Sequence, residues 1–136
     1  MAAFSPIPAY VIGTLCLALG INGLSRPSDE YKRFGLPLEK STTGHRRTIP
    51  TSGSVSPLMY LKGIREVTYG LALLAMQYQR QEVAITTLVA IFSLAGLGDG
   101  LVVWFFGGDE LKKKAFGHWV TFVGFTGWSW WRAAYV

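Results

Sequence analysis

Four apolar stretches, residues 8–24, 57–78, 83–106 and 115–135, take up most of this chain, and Lys, Arg, Glu and Asp side chains stand away from the ends of two of them. Each stretch approaches or exceeds the roughly 20 residues a helix needs to cross about 30 Å of hydrocarbon. Backbone groups in lipid must be satisfied locally, so such stretches form helices. Lys62, Arg65 and Glu66 fall in the second stretch and Asp99 near the end of the third. A charge at the bilayer centre costs about 2.5–3.5 kcal/mol on insertion scales. Four such residues are therefore expected to be paired, to face the interior of a bundle and to serve a purpose. The expected fold class is all-α, an integral membrane four-helix bundle, with residues 1–136 as a single four-span transmembrane domain.

Composition points the same way. Charged residues make up 15% of the chain, against roughly 25% in a soluble domain. The single cysteine, Cys16, excludes an internal disulfide and lies in an apolar run, where it reads as packing. A net charge of +5 could suggest nucleic acid. The basic residues, however, fall between the apolar stretches, with no basic platform interleaved with aromatics, so no nucleic-acid partner is expected. No basic residue precedes the first stretch and no convincing small-x-small site follows it, so it is expected to be a retained helix and not a cleaved leader.

The loops set the topology. Residues 26–56 and 107–114 fall on one side of a four-span arrangement and hold nine of the thirteen Lys and Arg residues, among them Lys40, Arg46, Arg47 and Lys112 to Lys114. The loop at 79–82 holds only Arg80. The positive-inside rule then places loops one and three in the cytoplasm and both termini on the far side. Loop one is expected to lie partly ordered on the membrane surface. The cluster Trp128, Trp130, Trp131 and Arg132 reads as an interfacial aromatic belt on the far side.

With that topology the polar residues share a depth. At about 1.5 Å per residue, Lys62 to Glu66 lie roughly 8–14 Å from the cytoplasmic surface and Asp99 about 10 Å. Asn22, near the end of the first helix, and His118, at the start of the fourth, are shallower on the same side. Lys62, Arg65, Glu66 and Tyr69 follow the i, i+3, i+4, i+7 spacing of one helical stripe. Two cations and two carboxylates sum to zero, the balance a buried ionised cluster needs. Such a set could simply fix helix register. Four titratable groups exceed what register requires, and intramembrane ionisable residues default to function. The expected catalytic residues are Glu66, Asp99, Arg65 and Lys62, with Asn22, Tyr69, His118 and Trp119 at a substrate. Gly96, Gly98 and Gly100 around Asp99 read as close helix packing, as do Gly13, Gly20, Gly124 and Gly127. No Cys/His set has metal-ligand spacing, and no Gly-rich phosphate loop or nucleophile elbow is present, so neither metal nor cofactor is expected.

Lys62-Gly63-Ile64-Arg65-Glu66 followed by Gly70, then Leu97-Gly98-Asp99 with Val102-Val103, resemble the two signature segments of a family of small four-helix integral membrane proteins distantly similar to DoxX-like proteins. Phe34-Gly35-Leu36-Pro37 matches the same family's first loop. The chain departs from it in having Glu66 where aspartate is commoner. It is also similar to the small membrane epoxide hydrolases and cyclases of fungal polyene-pyrone pathways. That resemblance implies a membrane enzyme, expected in the endoplasmic reticulum, acting on a lipophilic small molecule by carboxylate-based acid/base chemistry. Epoxide opening needs a carboxylate to activate water or a hydroxyl and a donor for the leaving oxygen. Glu66 and Asp99 would carry the proton transfers, Arg65 and Lys62 would set their charges, and Tyr69 and His118 would be auxiliary donors. The alternative is a non-enzymatic scaffold or assembly subunit whose ion pairs are structural. A transporter would need several copies of so small a unit.

Overall fold

The computed structural model describes residues 4–38 and 55–135. Lys40, Arg46 and Arg47, which the topology argument counts, lie outside the described residues. Among these residues the chain is all-helical: α1 (Ile7–Ser25), α2 (Pro27–Phe34), α3 (Pro57–Tyr78), α4 (Glu82–Phe106), α5 (Gly108–Leu111) and α6 (Ala115–Ala133), with a 3₁₀ turn at Lys112–Lys114. The four apolar stretches are the long helices α1, α3, α4 and α6. Two of them, α1 and α4, are long and apolar enough to cross a membrane, with mean hydropathies of 1.7 and 2.0. Lys62, Arg65 and Glu66 interrupt α3, and α6 is diluted by His118, Ser129, Arg132 and its glycines.

Local chemistry explains the helix starts. Pro57 occupies the first turn of α3, where its missing N–H costs nothing. The Ser56 side chain caps that helix, accepting from the Leu58 N–H at 3.3 Å. The beginning of loop one differs from the surface loop the sequence suggests, because it is a helix. Pro27 opens α2, Asp29 and Glu30 sit in its first turn and Lys32 and Arg33 in its last, so both ends complement the helix dipole. Gly35 ends it at φ 109°, in the left-handed region. A Cβ there would also lie 2.7 Å from Val103 Cγ1. Residues 107–114 likewise form α5 and the 3₁₀ turn in place of an open loop.

α2 is tied across one end of the long helices. Its Tyr31 hydroxyl accepts from the Ser56 N–H at 2.8 Å. Phe34 packs with Val103 of α4 and Ala115 of α6. The opposite end is the tight turn at 79–81 between α3 and α4. These are the α2 end and the hairpin end.

The long helices pack as two pairs, α1 along α3 and α4 along α6, while α3 and α4 meet over a shorter stretch. Small residues allow the first pair to approach. A Cβ at Gly20 would lie 2.6 Å from the Val67 nitrogen, and one at Gly70 would lie 2.6 Å from the Gly13 carbonyl oxygen. Gly100 of α4 makes room for the Trp119 ring of α6 in the same way. Gly98, Gly124 and Gly127, expected as packing positions, instead face open space, with no heavy atom within 4 Å of a Cβ built on any of them. Ala9, Leu73, Ile85, Val89 and Phe92 form the core that joins the pairs toward the hairpin end. Toward α2 the pairs enclose a cavity.

Candidate functional site

The charged residues of α3 fall on the face that meets this cavity, because i, i+3 and i+4 positions share one side of a helix. Lys62 donates to Glu66 Oε1 at 2.5 Å, one helical turn on, and to Glu30 Oε1 of α2 at 2.8 Å. Glu30 also pairs with Arg33 on its own helix. The Arg65 Nη2 group reaches across to α4 and binds both Asp99 oxygens, at 2.7 and 3.0 Å. Three cations and three carboxylates from α2, α3 and α4 thus form two adjacent networks whose formal charges cancel. That cancellation is what allows so many charges out of bulk water.

The cavity holds about 720 Å³, within the usual size of a small-molecule site. All six of these charged residues border it. Away from these charges its walls are largely apolar: Ile12, Leu15, Cys16 and Leu19 from α1, and Phe125 from α6, with Thr121 beside it. Tyr69 and Phe92 stack at 4.1 Å between ring centres and border it toward the middle of the helices. Phe34 borders it on the α2 side, where its ring lies 4.8 Å from the His118 imidazole. His118 Nε2 lies 2.9 Å from the Phe34 carbonyl oxygen. A carbonyl only accepts, so Nε2 carries the proton, and in the neutral ring Nδ1 is the free acceptor. Lys114 borders the cavity at the same end, its ammonium held by the Lys32 carbonyl oxygen.

The structure gathers Lys62, Arg65, Glu66, Asp99, Tyr69 and His118 around one space. Two residues expected at a substrate do not line it. Asn22 sits at the end of α1, where its backbone carbonyl accepts from the Arg26 N–H at 2.8 Å. Trp119 is turned away toward Trp104 and Phe116, with ring centres at 5.7 and 5.4 Å, and against Gly100. Its size and its place one residue after His118 drew attention, but a helix turns about 100° per residue and presents the neighbour to another face.

Glu30 and Arg33 are site residues that the reading of the sequence missed. Glu30 is 2% exposed, the most buried carboxylate of the set. Its signal was present in residues 27–35, where a proline, early acids, late bases and a final glycine spell a complete helix. Arg132, read as part of an interfacial belt, is also turned inward. It is 1% exposed and donates to the Glu82 carboxylate at 2.5 Å and to Thr86 Oγ1 at 3.0 Å.

Among the described residues, no group of three or more His, Cys, Asp and Glu side chains could hold a metal ion. The three carboxylates at the cavity are instead paired with cations, Glu30 and Glu66 with Lys62 and Asp99 with Arg65.

Residues 13–132 match the model of a family described as "Domain of unknown function (DUF4267)". No curated protein matches the chain, and no solved structure does.

Proposed function

The chain belongs to the DUF4267 family, and we propose that it is a four-span integral membrane enzyme that acts on a lipophilic small molecule by carboxylate acid/base chemistry. Supporting the membrane part are α1 and α4, apolar over their length, and the exposed Phe105, Phe106, Val120 and Trp130 on outward faces. In water such a surface would be an aggregation liability, whereas in a bilayer it meets its own kind. Basic loops at 26–56 and 107–114 would face the cytoplasm, with the endoplasmic reticulum as the membrane.

The observation that carries the enzymatic part is the placement of Arg65–Asp99 and Lys62–Glu66 on the wall of an apolar cavity large enough for a ligand. Asp99, held by Arg65 through both oxygens, is positioned to take a proton from a water or a substrate hydroxyl. That oxygen attacks one epoxide carbon, the carbon–oxygen bond on that carbon breaks, and the leaving oxygen takes a proton from Glu66, which has first received it from the Lys62 ammonium across their hydrogen bond. Glu66 is thereby left as the carboxylate that it is at rest. Water as nucleophile gives hydrolysis, and an internal hydroxyl gives cyclisation. The choice of an epoxide comes from the resemblance of the chain to fungal membrane epoxide hydrolases and cyclases.

A second reading rests on the pairs themselves. Arg65–Asp99 links α3 to α4, and Lys62–Glu30 links α2 to α3. A scaffold or assembly subunit needs no more than that. The two readings part on Asp99→Asn and Glu66→Gln. The enzyme reading expects both variants to remain folded in detergent and to lose about 10²–10⁴-fold in turnover of an epoxide-bearing lipophilic substrate. Turnover at the parental rate in both would sink the acid/base assignment. Loss of folding in both would favour the scaffold.

A further inference from the structure

The cavity has a side that neither α2 nor the core closes. α1 and α6 share no extended contact, since each packs on a different partner. Their facing edges both border the cavity and both reach the outside. On α1 these are Leu15 and Leu19, 56% and 39% exposed. On α6 they are Gly117 and Thr121, one helical turn apart and exposed. A Cβ at Gly117 would have no heavy atom within 4 Å. The ends of this slot are shut. At the hairpin end Phe4 and Trp131 meet edge to face at 5.5 Å, with the Arg132 guanidinium 4.3 Å from the Phe4 ring centre. At the α2 end Phe34 lies against His118.

We infer that the slot between α1 and α6 is a lateral portal by which the substrate enters from the hydrocarbon, and that the substrate is a neutral, elongated molecule carrying a hydroxyl and an acceptor oxygen near one end. This deepens the proposed function and rests on its membrane reading. Both lips of the portal are outer faces of helices that meet lipid in that reading. A water-borne substrate would instead have to pass α2, which Tyr31, Phe34 and Glu30 anchor from beneath. The head group follows from the hydrogen bonds left unmade. Arg65 Nε and Glu66 Oε2 are buried with no hydrogen-bond partner, one a donor and one an acceptor. Buried polar groups of this kind are normally satisfied. A ligand with an acceptor oxygen and a hydroxyl can serve both after small side-chain shifts. At the head Arg33, Lys62 and Arg65 are already matched by Glu30, Glu66 and Asp99, and the further cation Lys114 is held by a backbone carbonyl at the α2 end. A charged group beside those pairs would therefore leave an unpaired charge in a low-dielectric site. The tail lies along Ile12, Leu15 and Phe125.

Photolabelling of the full-length protein in phosphatidylcholine vesicles tests this without turnover. The probe is a small aryl diazirine that partitions into the bilayer core, with adducts mapped by mass spectrometry. Parental protein should carry adducts on Tyr69 and Cys16 inside the cavity and on Val123 and Trp130 of the outer face, the latter two 64% and 80% exposed. Gly117→Trp places an indole in the portal. With the light flash given before the probe has equilibrated with the cavity, entry slowed about tenfold, an added barrier of about 1.4 kcal/mol, should lower the cavity adducts by the same factor and leave those on Val123 and Trp130 unchanged. Thr121→Trp should act in the same direction, and the outer-face adducts report that either variant is still inserted. Cavity adducts unaffected by both variants, or absent from the parent, would overturn the portal. So would equal labelling of Tyr69 by a membrane-impermeant diazirine added from the water. Missing label on Val123 and Trp130 would overturn the membrane reading and the portal together. Because the readout is access, parental turnover in the amide variants would remove the acid/base assignment and leave the portal standing.

Discussion

At the hairpin end, Arg132 is enclosed. Its Nε meets Thr86 Oγ1, its Nη2 meets both the side chain and the backbone carbonyl of Glu82, and Phe4 and Trp128 flank its guanidinium. At the α2 end, three cations paired with three carboxylates, and Lys114 besides, border an open volume, Arg65 is 36% exposed, and a donor and an acceptor lack partners. The two regions are built from the same chemistry, and both join helices. Only one of them is filled by its own side chains. A pair that merely fixes helix positions is most stable when every polar atom is used and no space remains. A set held beside unfilled volume with unused hydrogen-bonding groups keeps capacity for a ligand. In the proposed function, that difference separates ion pairs that hold the fold from ion pairs that meet a substrate.

Breaking the enclosed pair should have the largest effect on stability. Glu82→Gln leaves the Arg132 cation buried with a hydroxyl and carbonyls as its only oxygen partners. Removing one member of a buried pair costs about 3–5 kcal/mol. Denaturation in mixed micelles should show a loss of that size, while the folded fraction turns over substrate at the parental rate. A variant as stable as the parent but slow in turnover would reverse the roles assigned to the two ends.

Glu30→Gln tests the other end, and its effect should be smaller. Glu30 is as buried as Arg132, but its partners have alternatives. Lys62 keeps Glu66, and Arg33 is partly in solvent. The loss should be that of hydrogen bonds to a charged group, about 1.5–3 kcal/mol. The same micelle denaturation measures it. A loss equal to that of Glu82→Gln would mean that the α2 end is as tightly determined as the hairpin end, and the contrast between them would fail.

The long helices and the α3–α4 pairing were legible for different reasons. Apolar runs of about 20 residues announce helices directly. Lys62, Arg65, Glu66 and Asp99 announce themselves because charge is rare in such runs, and equal depth from one side then matches α3 to α4. Glu30 and Arg33 lie in a polar segment, where an acid and a base are unremarkable, so their burial depends on α2 folding back over the cavity. That depends on contacts distant in sequence, Tyr31 to Ser56 and Phe34 to Val103. Arg132 was hidden by its neighbours. Beside three tryptophans it reads as interfacial, and only the packing of α6 along α4 brings Glu82 to it. Asn22 and Trp119 show the converse: they do not line the cavity, since depth along a helix does not fix the azimuth around it.

The smallest effect is expected where burial vanishes altogether. Asp109 is 96% exposed and accepts from the Lys112 ammonium at 2.6 Å. That hydrogen bond, reinforced by the charge of Lys112, holds the Asp109 carboxyl below the usual carboxylate range. A carboxyl lowered on folding adds stability above its unfolded value and loses it as pH falls through its folded value. The direction is therefore acid-labile. The magnitude is set by water and salt around an exposed pair, which leave little of it. Asp109→Asn and the parent should thus give the same denaturation midpoint at neutral pH and the same decline on acidification, at low and at physiological salt. If the parent were the more stable at neutral pH, and the gap closed as pH fell through the acidic carboxylate range, the Asp109–Lys112 pair would be contributing as the enclosed pairs do. Burial would then not be what separates structural from incidental ion pairs in this protein.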